Sequence, residues 1–293
     1  MMNSIQLKAM GKINLGLDVV RRRPDGYHEV KMVMQTVNLY DKVKMTVLEA
    51  PEIIVTTNLP FLPVDKNNIV YKAASMLMEH FDIRQGIAID LEKHIPVAAG
   101  MAGGSTDGAA VLYGMNRLFD LKLSLSELMD FGVRLGADVP YCLMRGTALS
   151  EGIGEVLTPL PAIPECWILI AKPAISVSTK WVYENLHLEE LSGHPDIDGV
   201  VDAIRKGDLH AMCGCLENVL ESVTVKEYPV IDEIKTFMKS HGALNALMSG
   251  SGPTVFGVFD SFDRAQSAGN ALKQTDLAKQ VFVTRPFNIS GGR

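Results

Sequence analysis

The chain is poor in several residue types, and each shortage closes off a class of function. Its 293 residues hold four cysteines. Cys142, Cys166, Cys213 and Cys215 show no zinc-ligand spacing, and Cys213-Gly-Cys215 is one residue short of a C-x-x-C redox pair. On a helix those two thiols would point apart. Buried, reduced thiols in a cytoplasmic protein are the expectation. A basic excess is also missing: 28 Lys and Arg against 34 Asp and Glu leave a net charge of −6. That excludes a general nucleic-acid binder with a basic face and reads as ordinary solubility. An anionic substrate therefore has to be met by local cations. The longest clean apolar run, Cys166 to Ala171, has the length of a strand and is far short of a membrane span. The opening Met1-Met-Asn-Ser-Ile-Gln-Leu-Lys8 lacks the apolar core of a signal peptide, and none is expected. There is no G-x-x-x-x-G-K-[ST] loop, no G-x-G-x-x-G spacing and no H-R-D. The chain has neither the common nucleotide loops nor the protein-kinase set.

What the chain does have is a run of small residues: Pro96, Val97, Ala98, Ala99, Gly100, Met101, Ala102, Gly103, Gly104, Ser105 and Thr106, followed by Asp107, Gly108 and two alanines. The glycines permit positive φ and close approach of a ligand to the backbone. Ser105, Thr106 and Asp107 are helix-starting residue types. Ala109, Leu112, Leu118 and Phe119 then recur at roughly helical spacing. A glycine-rich loop feeding a helix N-terminus aims several N–H groups and the positive end of the helix dipole at one place, which is an anion site. A tight loop packed on the core is the plain alternative.

Alternation predicts a half-buried strand over Ser4 to Val20, bent at Gly11, with Lys12 and Asn14 side by side on its exposed face. Arg21 to Gly26 reads as a turn. Val30, Met32 and Met34 mark a second strand, and Val43, Met45 and Val47 another. Ile69, Ala73, Met76, Leu77 and Phe81 share a helical face, and Ile87, Ile89 and Leu91 form the strand that delivers the chain to the glycine loop. Ser124 to Glu127 is a capping box, with a helix through Leu135 stopped by Gly136. Asp138 follows that stop. The proline-dense Leu157 to Pro164 marks a domain boundary, giving domains 1–158 and 159–293. Beyond it the pattern predicts a strand over Trp167–Ala171 and helices near Thr179–Leu186, Val200–Lys206, Asp208–Leu220 and Pro229–Ser240. Strands at Ala243–Met248, Thr254–Phe259 and Val281–Thr284, with a helix capped by Ser261, complete an antiparallel α/β plait.

Phosphoryl transfer needs a phosphate cradle, cations, and a group that positions or deprotonates the attacking hydroxyl. Ser105 or Thr106 offers a hydroxyl to a metal, or simply caps the helix. Asp138, otherwise a turn residue, is the candidate base. Lys12, otherwise a solvated strand residue, is the candidate cation, since an ammonium beside a carboxylate keeps it ionised and can stabilise a developing alkoxide. Tyr27 and His28, just after a turn, can stack on and hydrogen-bond a planar base. Asn68 reads as a helix N-cap and Lys93 as a surface lysine.

Four segments in register resemble the GHMP small-molecule kinases: Gly11-Lys12-Ile-Asn14-Leu, the loop Pro96 to Ala110, Gly136-Ala-Asp138-Val-Pro140, and Leu247-Met-Ser-Gly250-Ser251-Gly252-Pro253. In the loop Met101 replaces a Leu, Ala102 a Gly, Thr106 a Ser and Gly108 an Ala of the family pattern. The resemblance implies an α+β, two-domain GHMP kinase fold with a ribosomal-protein-like N-terminal βαβ domain, a ferredoxin-like C-terminal plait and an active site in the cleft between them. It implies Lys12 and Asp138 as the catalytic pair, Pro96 to Thr106 as the ATP triphosphate cradle, and Ser105 as a Mg²⁺ contact. Asn68 and Lys93 would lie near the adenine, and Leu247 to Pro253 would bring backbone N–H groups to the phosphates. Arg23-Pro-Asp-Gly26-Tyr27-His28 resembles the family branch that phosphorylates the 2-hydroxyl of a cytidine-diphosphate-linked methylerythritol. In that branch Asn14, Tyr27, His28 and Tyr183 would bind substrate, with Trp181 the weaker candidate for the second wall of the base site. A small-molecule substrate, no nucleic-acid or membrane partner, and a monomer or weak homodimer are expected. Another small-alcohol kinase of the homoserine or mevalonate type, and a non-catalytic sensor on the same fold, are the alternatives.

Overall fold

The computed structural model describes residues 2–191 and 193–288. Strands β1 (Ser4–Arg22), β2 (His28–Leu48) and β3 (Ile53–Thr57) precede α1 (Ile69–His80) and β4 (Gly86–Glu92). Helices α2 (Gly103–Leu118), α3 (Leu125–Val133) and α4 (Val139–Met144) follow, then β5 (Thr147–Glu151), β6 (Val156–Pro159) and β7 (Trp167–Lys172). After these come α5 (Thr179–Glu184), α6 (Ile197–Lys206), α7 (Leu209–Gly214), α8 (Glu221–Glu227) and α9 (Val230–Ser240). Strands β8 (Asn245–Met248) and β9 (Val255–Phe259), helix α10 (Phe262–Leu272) and strand β10 (Gln280–Thr284) end the order. The chain divides into two compact units. The first comprises the described residues through Gly11, Leu39–Val97 and Ala102–Met144. The second comprises Lys12–Asn38, Ala98–Met101 and the described residues from Arg145 on. These units interleave along the sequence.

In the first unit β4 runs antiparallel to the later half of β2, with Val43 opposite Leu91 and Met45 opposite Ile89, and parallel to β3. Helix α1 packs on α2, and α2 on α3 and α4. The helix signals are local and physical. Asn68 Oδ1 accepts from Val70 N to cap α1, and Ser124 and Glu127 form the reciprocal capping box of α3. Helix α3 stops at Val133, two residues before the expected Leu135. The tripeptide Asp130-Phe131-Gly132 spells a protein-kinase motif but lies inside α3. Helix α4 was not predicted, because six residues are too few to show a period.

In the second unit β5 pairs with β6 and with the early half of β2. A four-stranded antiparallel sheet runs β10-β7-β9-β8, as the plait expectation requires. Several expectations need correction. The two strands expected over Val30–Val47 are one 21-residue strand. Lys12 and Asn14 are not on an exposed face: they are 5% and 0% exposed, because β1 is buried on both faces over most of Ala9–Val19 and alternation ceases to report solvent there. The helix expected over Asp208–Leu220 ends at Gly214, since Asn218 leaves it to bridge Leu17 of β1. Ser261 precedes α10 without capping it.

A buried cluster fixes the start of α2. Lys93, the expected surface lysine, is 7% exposed. Its ammonium donates to Asp41 Oδ2 and, at 2.6 Å, to Asp107 Oδ2. A Cβ on Gly103, the first residue of α2, would stand 3.3 Å from that ammonium. Asp41 Oδ1 also accepts the N–H groups of His94 and Ile95, so this carboxylate is well satisfied. Asp107 Oδ1 is buried with no hydrogen-bond partner. Two carboxylates on one ammonium leave one negative charge in excess. Burial above all, with Asp41 adding its charge, raises Asp107 well above the ordinary carboxylate range despite Lys93. Burial lowers Lys93, but Asp107 and Asp41 outweigh it and its net shift is upward. Asp107 is therefore the carboxyl of the cluster whose charged form is disfavoured. Because its folded value lies above its unfolded one, the stability it contributes is complete below the ordinary carboxylate range and is lost as pH rises through the folded value. Asp107→Asn, which mimics the protonated acid, should keep the fold and flatten that decline in melting temperature with rising pH. Asp41→Asn should cost roughly 3–5 kcal/mol, the scale for breaking a buried ion pair. Equal, small losses from both substitutions in thermal melts across pH would contradict this assignment.

Candidate active site

The glycine-rich loop after β4 turns three times into the left-handed region. Ala98 has φ 50°, Gly100 φ 72° and Ala102 φ 55°. Ala102 takes the N-cap position of α2 and supplies no side-chain cap, so Ser105, Thr106 and Asp107 fall inside the helix and do not start it as expected. The consequence is chemical. Thr106 N bonds Ala102 O at 2.9 Å, while the N–H groups of Gly103, Gly104 and Ser105 meet no protein acceptor among the described residues. Three open donors at the positive end of a sixteen-residue helix are a phosphate-binding geometry.

Gly100, in the second unit, has no room for a side chain. A Cβ there would lie 2.1 Å from Ser249 O, and its positive φ is one that L residues rarely adopt. Ser249 Oγ donates to Gly100 O at 2.9 Å. The segment Ser249–Pro253 is the hairpin turn between β8 and β9, as expected, closed by Ser249 N to Thr254 O at 2.9 Å. The N–H groups of Gly250 and Ser251 take no part in the hairpin's bonding.

Lys12 is held from both ends within the same unit. Its N–H donates to Met101 O at 3.1 Å, and its Nζ donates to Asn14 Oδ1 at 2.7 Å. Asn14 in turn points its Nδ2 at Met32 Sδ, 3.2 Å away, so the buried amide is oriented by both neighbours. Asp138, in the first unit, is half-buried on the turn into α4, and its carbonyl accepts Cys142 N at 3.0 Å. Asn68 and Lys93 both spend their side chains on protein partners, the α1 cap and the buried carboxylates.

The turn before β2 is closed by its own hydrogen bonds. Arg23 N donates to Tyr27 O at 2.8 Å, Gly26 N to Arg23 O at 3.1 Å, and Arg23 Nη2 pairs with Asp25 at 2.8 Å. Tyr27 emerges 61% exposed. The His28 ring lies 5.1 Å from that of Tyr183 on α5, at 38°. Burial, with the Arg22 guanidinium adding to it, holds His28 below the ordinary imidazole value, so it presents a neutral ring with one donor and one acceptor. Trp181 does not join them. It lines a separate cavity of about 240 Å³ with Asn185, His187 and Lys226. Sequence reasoning missed Asp41 and Ser249, because a polar strand residue and a serine in a glycine turn carry no local signal of what they will bind.

Two GHMP profiles match this chain: the GHMP kinases N terminal domain over residues 68–146 and the GHMP kinases C terminal domain over residues 200–276. A 4-diphosphocytidyl-2-C-methyl-D-erythritol kinase of Lachnoclostridium phytofermentans is 59% identical over 98% of both chains. One from Geobacillus kaustophilus is 50% identical over 96% of both. A crystal structure of a 4-(cytidine 5'-diphospho)-2C-methyl-D-erythritol kinase, 30% identical, superposes with a TM-score of 0.83 over 96% of this chain and 99% of the other. Homoserine kinase from Cytophaga hutchinsonii shares the fold at 23% identity, with a TM-score of 0.78 over 98% and 96% of the two chains. The chain belongs to the GHMP kinase family, in the branch of the 4-diphosphocytidyl-2-C-methyl-D-erythritol kinases.

Proposed function

We propose that this protein transfers the γ-phosphoryl group of ATP to the 2-hydroxyl of 4-diphosphocytidyl-2-C-methyl-D-erythritol. The observation that carries the reading is the start of α2, where three left-handed residues leave the N–H groups of Gly103, Gly104 and Ser105 open. The loop from Pro96 to Thr106 then serves as the triphosphate cradle, and the free amides of Gly250 and Ser251 add donors. Asn68 and Lys93 border the nucleotide through the elements they hold, since their side chains are committed elsewhere.

In the reaction the substrate oxygen attacks the γ-phosphorus, the bond to the bridging oxygen breaks, and ADP leaves. Asp138 orients the hydroxyl and takes its proton, and the Lys12 ammonium, fixed by Asn14, steadies the charge developing on that oxygen. The touching rings of His28 and Tyr183 form one wall of the cytosine site, the neutral imidazole reading the base's edge and the phenol ring covering its face, with Tyr27 as an exposed flank. Among the described residues no group of three or more His, Cys, Asp or Glu side chains could hold a metal. That fits Mg²⁺ arriving on the phosphates, since this ion uses few protein oxygens and keeps its waters. The Ser105 hydroxyl, half-buried on the first turn of α2, is the protein oxygen placed to meet it. When bound, Mg²⁺ neutralises phosphate charge. Cys142, Cys166, Cys213 and Cys215 form no disulfide, and burial pushes Cys166 and Cys213 up to about 12. Such inert thiols suit the reducing compartment expected from the sequence.

A coupled ADP-release assay should show turnover with the cytidine-diphosphate-linked alcohol and none with homoserine or mevalonate. The reverse order of acceptors would sink the proposal. Asp138→Ala should lower kcat by about 10²–10³, the scale for one electrostatic group, while ATP still binds. Near-normal turnover in that variant would remove Asp138 from the chemistry. Tyr183→Ala should raise KM for the cytidine compound several-fold and leave KM for ATP unmoved, whereas Trp181→Ala should change neither. Loss of ATP affinity in Tyr183→Ala would displace the ring from the base site.

A further inference from the structure

Asn218 belongs to no helix or strand and lies in a stretch that the sequence presents as helical. It is 5% exposed, and its amide is fully employed. Nδ2 donates to Met248 O and to Gly250 O, both at 2.8 Å, and Oδ1 accepts Leu220 N at 3.0 Å. Its backbone is pinned as well. Glu217 O accepts Leu17 N, and Val219 N donates to Leu17 O, so the segment runs beside β1. The segment around Asn218 thus ties the strand that carries Lys12 and Asn14, through the backbone of Glu217 and Val219, to the turn that carries Ser249, Gly250 and Ser251, through the Asn218 amide. Glu221 works beside it, with Oε1 accepting Met248 N at 2.7 Å and Oε2 paired with Lys235.

The turn held in this way touches the glycine loop directly. Ser249 Oγ binds Gly100 O, and the Cβ position of Gly250 lies 3.4 Å from Gly100 O and 3.5 Å from Asn14 Oδ1. Two carbonyls that converge on one amide cannot both stay in place without it, because each would be a buried acceptor facing nothing. We infer that Asn218 is a positioning residue for nucleotide binding: it sets the Ser249–Gly252 turn, and through Ser249 and Gly100 the left-handed course of the phosphate loop. The inference rests on the reading of that loop as the ATP site. Asn218 itself touches no reacting atom. Its effect is preorganisation of donors that would otherwise have to be ordered by the ligand.

The test is calorimetric titration of the whole protein, wild type and Asn218→Ala, with a non-hydrolysable ATP analogue and separately with the cytidine-diphosphate-linked alcohol. Melting temperature is recorded alongside. The expected result is an ATP-analogue affinity lowered roughly 10-fold, about the worth of one well-made hydrogen bond, with affinity for the cytidine compound within about twofold of wild type. A merely structural asparagine would lower the melting temperature and leave both affinities of the folded protein unchanged, and that outcome overturns the inference. Equal weakening of both ligands also overturns it. If Asn218→Ala does not fold, Ser249→Ala decides. That variant removes only the link to Gly100 and should weaken the ATP analogue selectively, and unchanged affinity there rejects the inference. A wild type that binds the analogue but phosphorylates nothing would refute the proposed function while leaving this inference standing. A wild type that binds no ATP analogue would end both.

Discussion

Everything about the candidate site depends on a backbone course that the chain adopts at a cost. Ala98 and Ala102 sit in the left-handed region, where an L residue with a Cβ loses about 1–2 kcal/mol. No side chain caps the helix that follows. A protein tolerates such a segment when its surroundings over-determine it. Here the supports are specific. In the first unit the Lys93 ammonium, gripped by Asp41 and Asp107, sits under Gly103. In the second, Ser249 and the Met101–Lys12 backbone bond hold Gly100 and its neighbour. The strain and the open amides are two faces of one arrangement: donors kept free of protein partners are donors available to an anion.

The same arrangement explains why the lysines differ in role. Lys93 is locked between the buried side chains of Asp41 and Asp107, so it acts on the fold and on the helix terminus it supports. Lys12 is buried on a strand and its ammonium donates to a neutral amide, Asn14. The contrast follows from partners, since both lysines are nearly inaccessible.

Legibility from sequence tracked the range of the forces involved. Elements with local signals were readable: the Ser124–Glu127 box, the Asn68 cap, the strand Trp167–Lys172 and the hairpin at Ser249–Pro253. The loop was readable because its glycines have no local purpose. What sequence could not give was burial on a second face. Alternation along β1 placed Lys12 and Asn14 in water, and only packing reverses that. Lys93 looked like a surface residue because its partners lie 52 and 14 positions away. Asn218 was hidden in an apparent helix because its bonds run to a turn 30 residues on. The family resemblance proposed roles for Lys12, Asp138 and Tyr183 that spacing alone left open.

The central claim is that the first amides of α2 are ligands to nucleotide phosphate. Residue-resolved backbone amide exchange, with and without a non-hydrolysable ATP analogue, addresses it directly. The account predicts that Gly103, Gly104 and Ser105, which exchange freely in the unliganded protein, become the most strongly protected amides of the loop when the analogue binds. Protection that appears elsewhere while these three continue to exchange at their unliganded rate would contradict it.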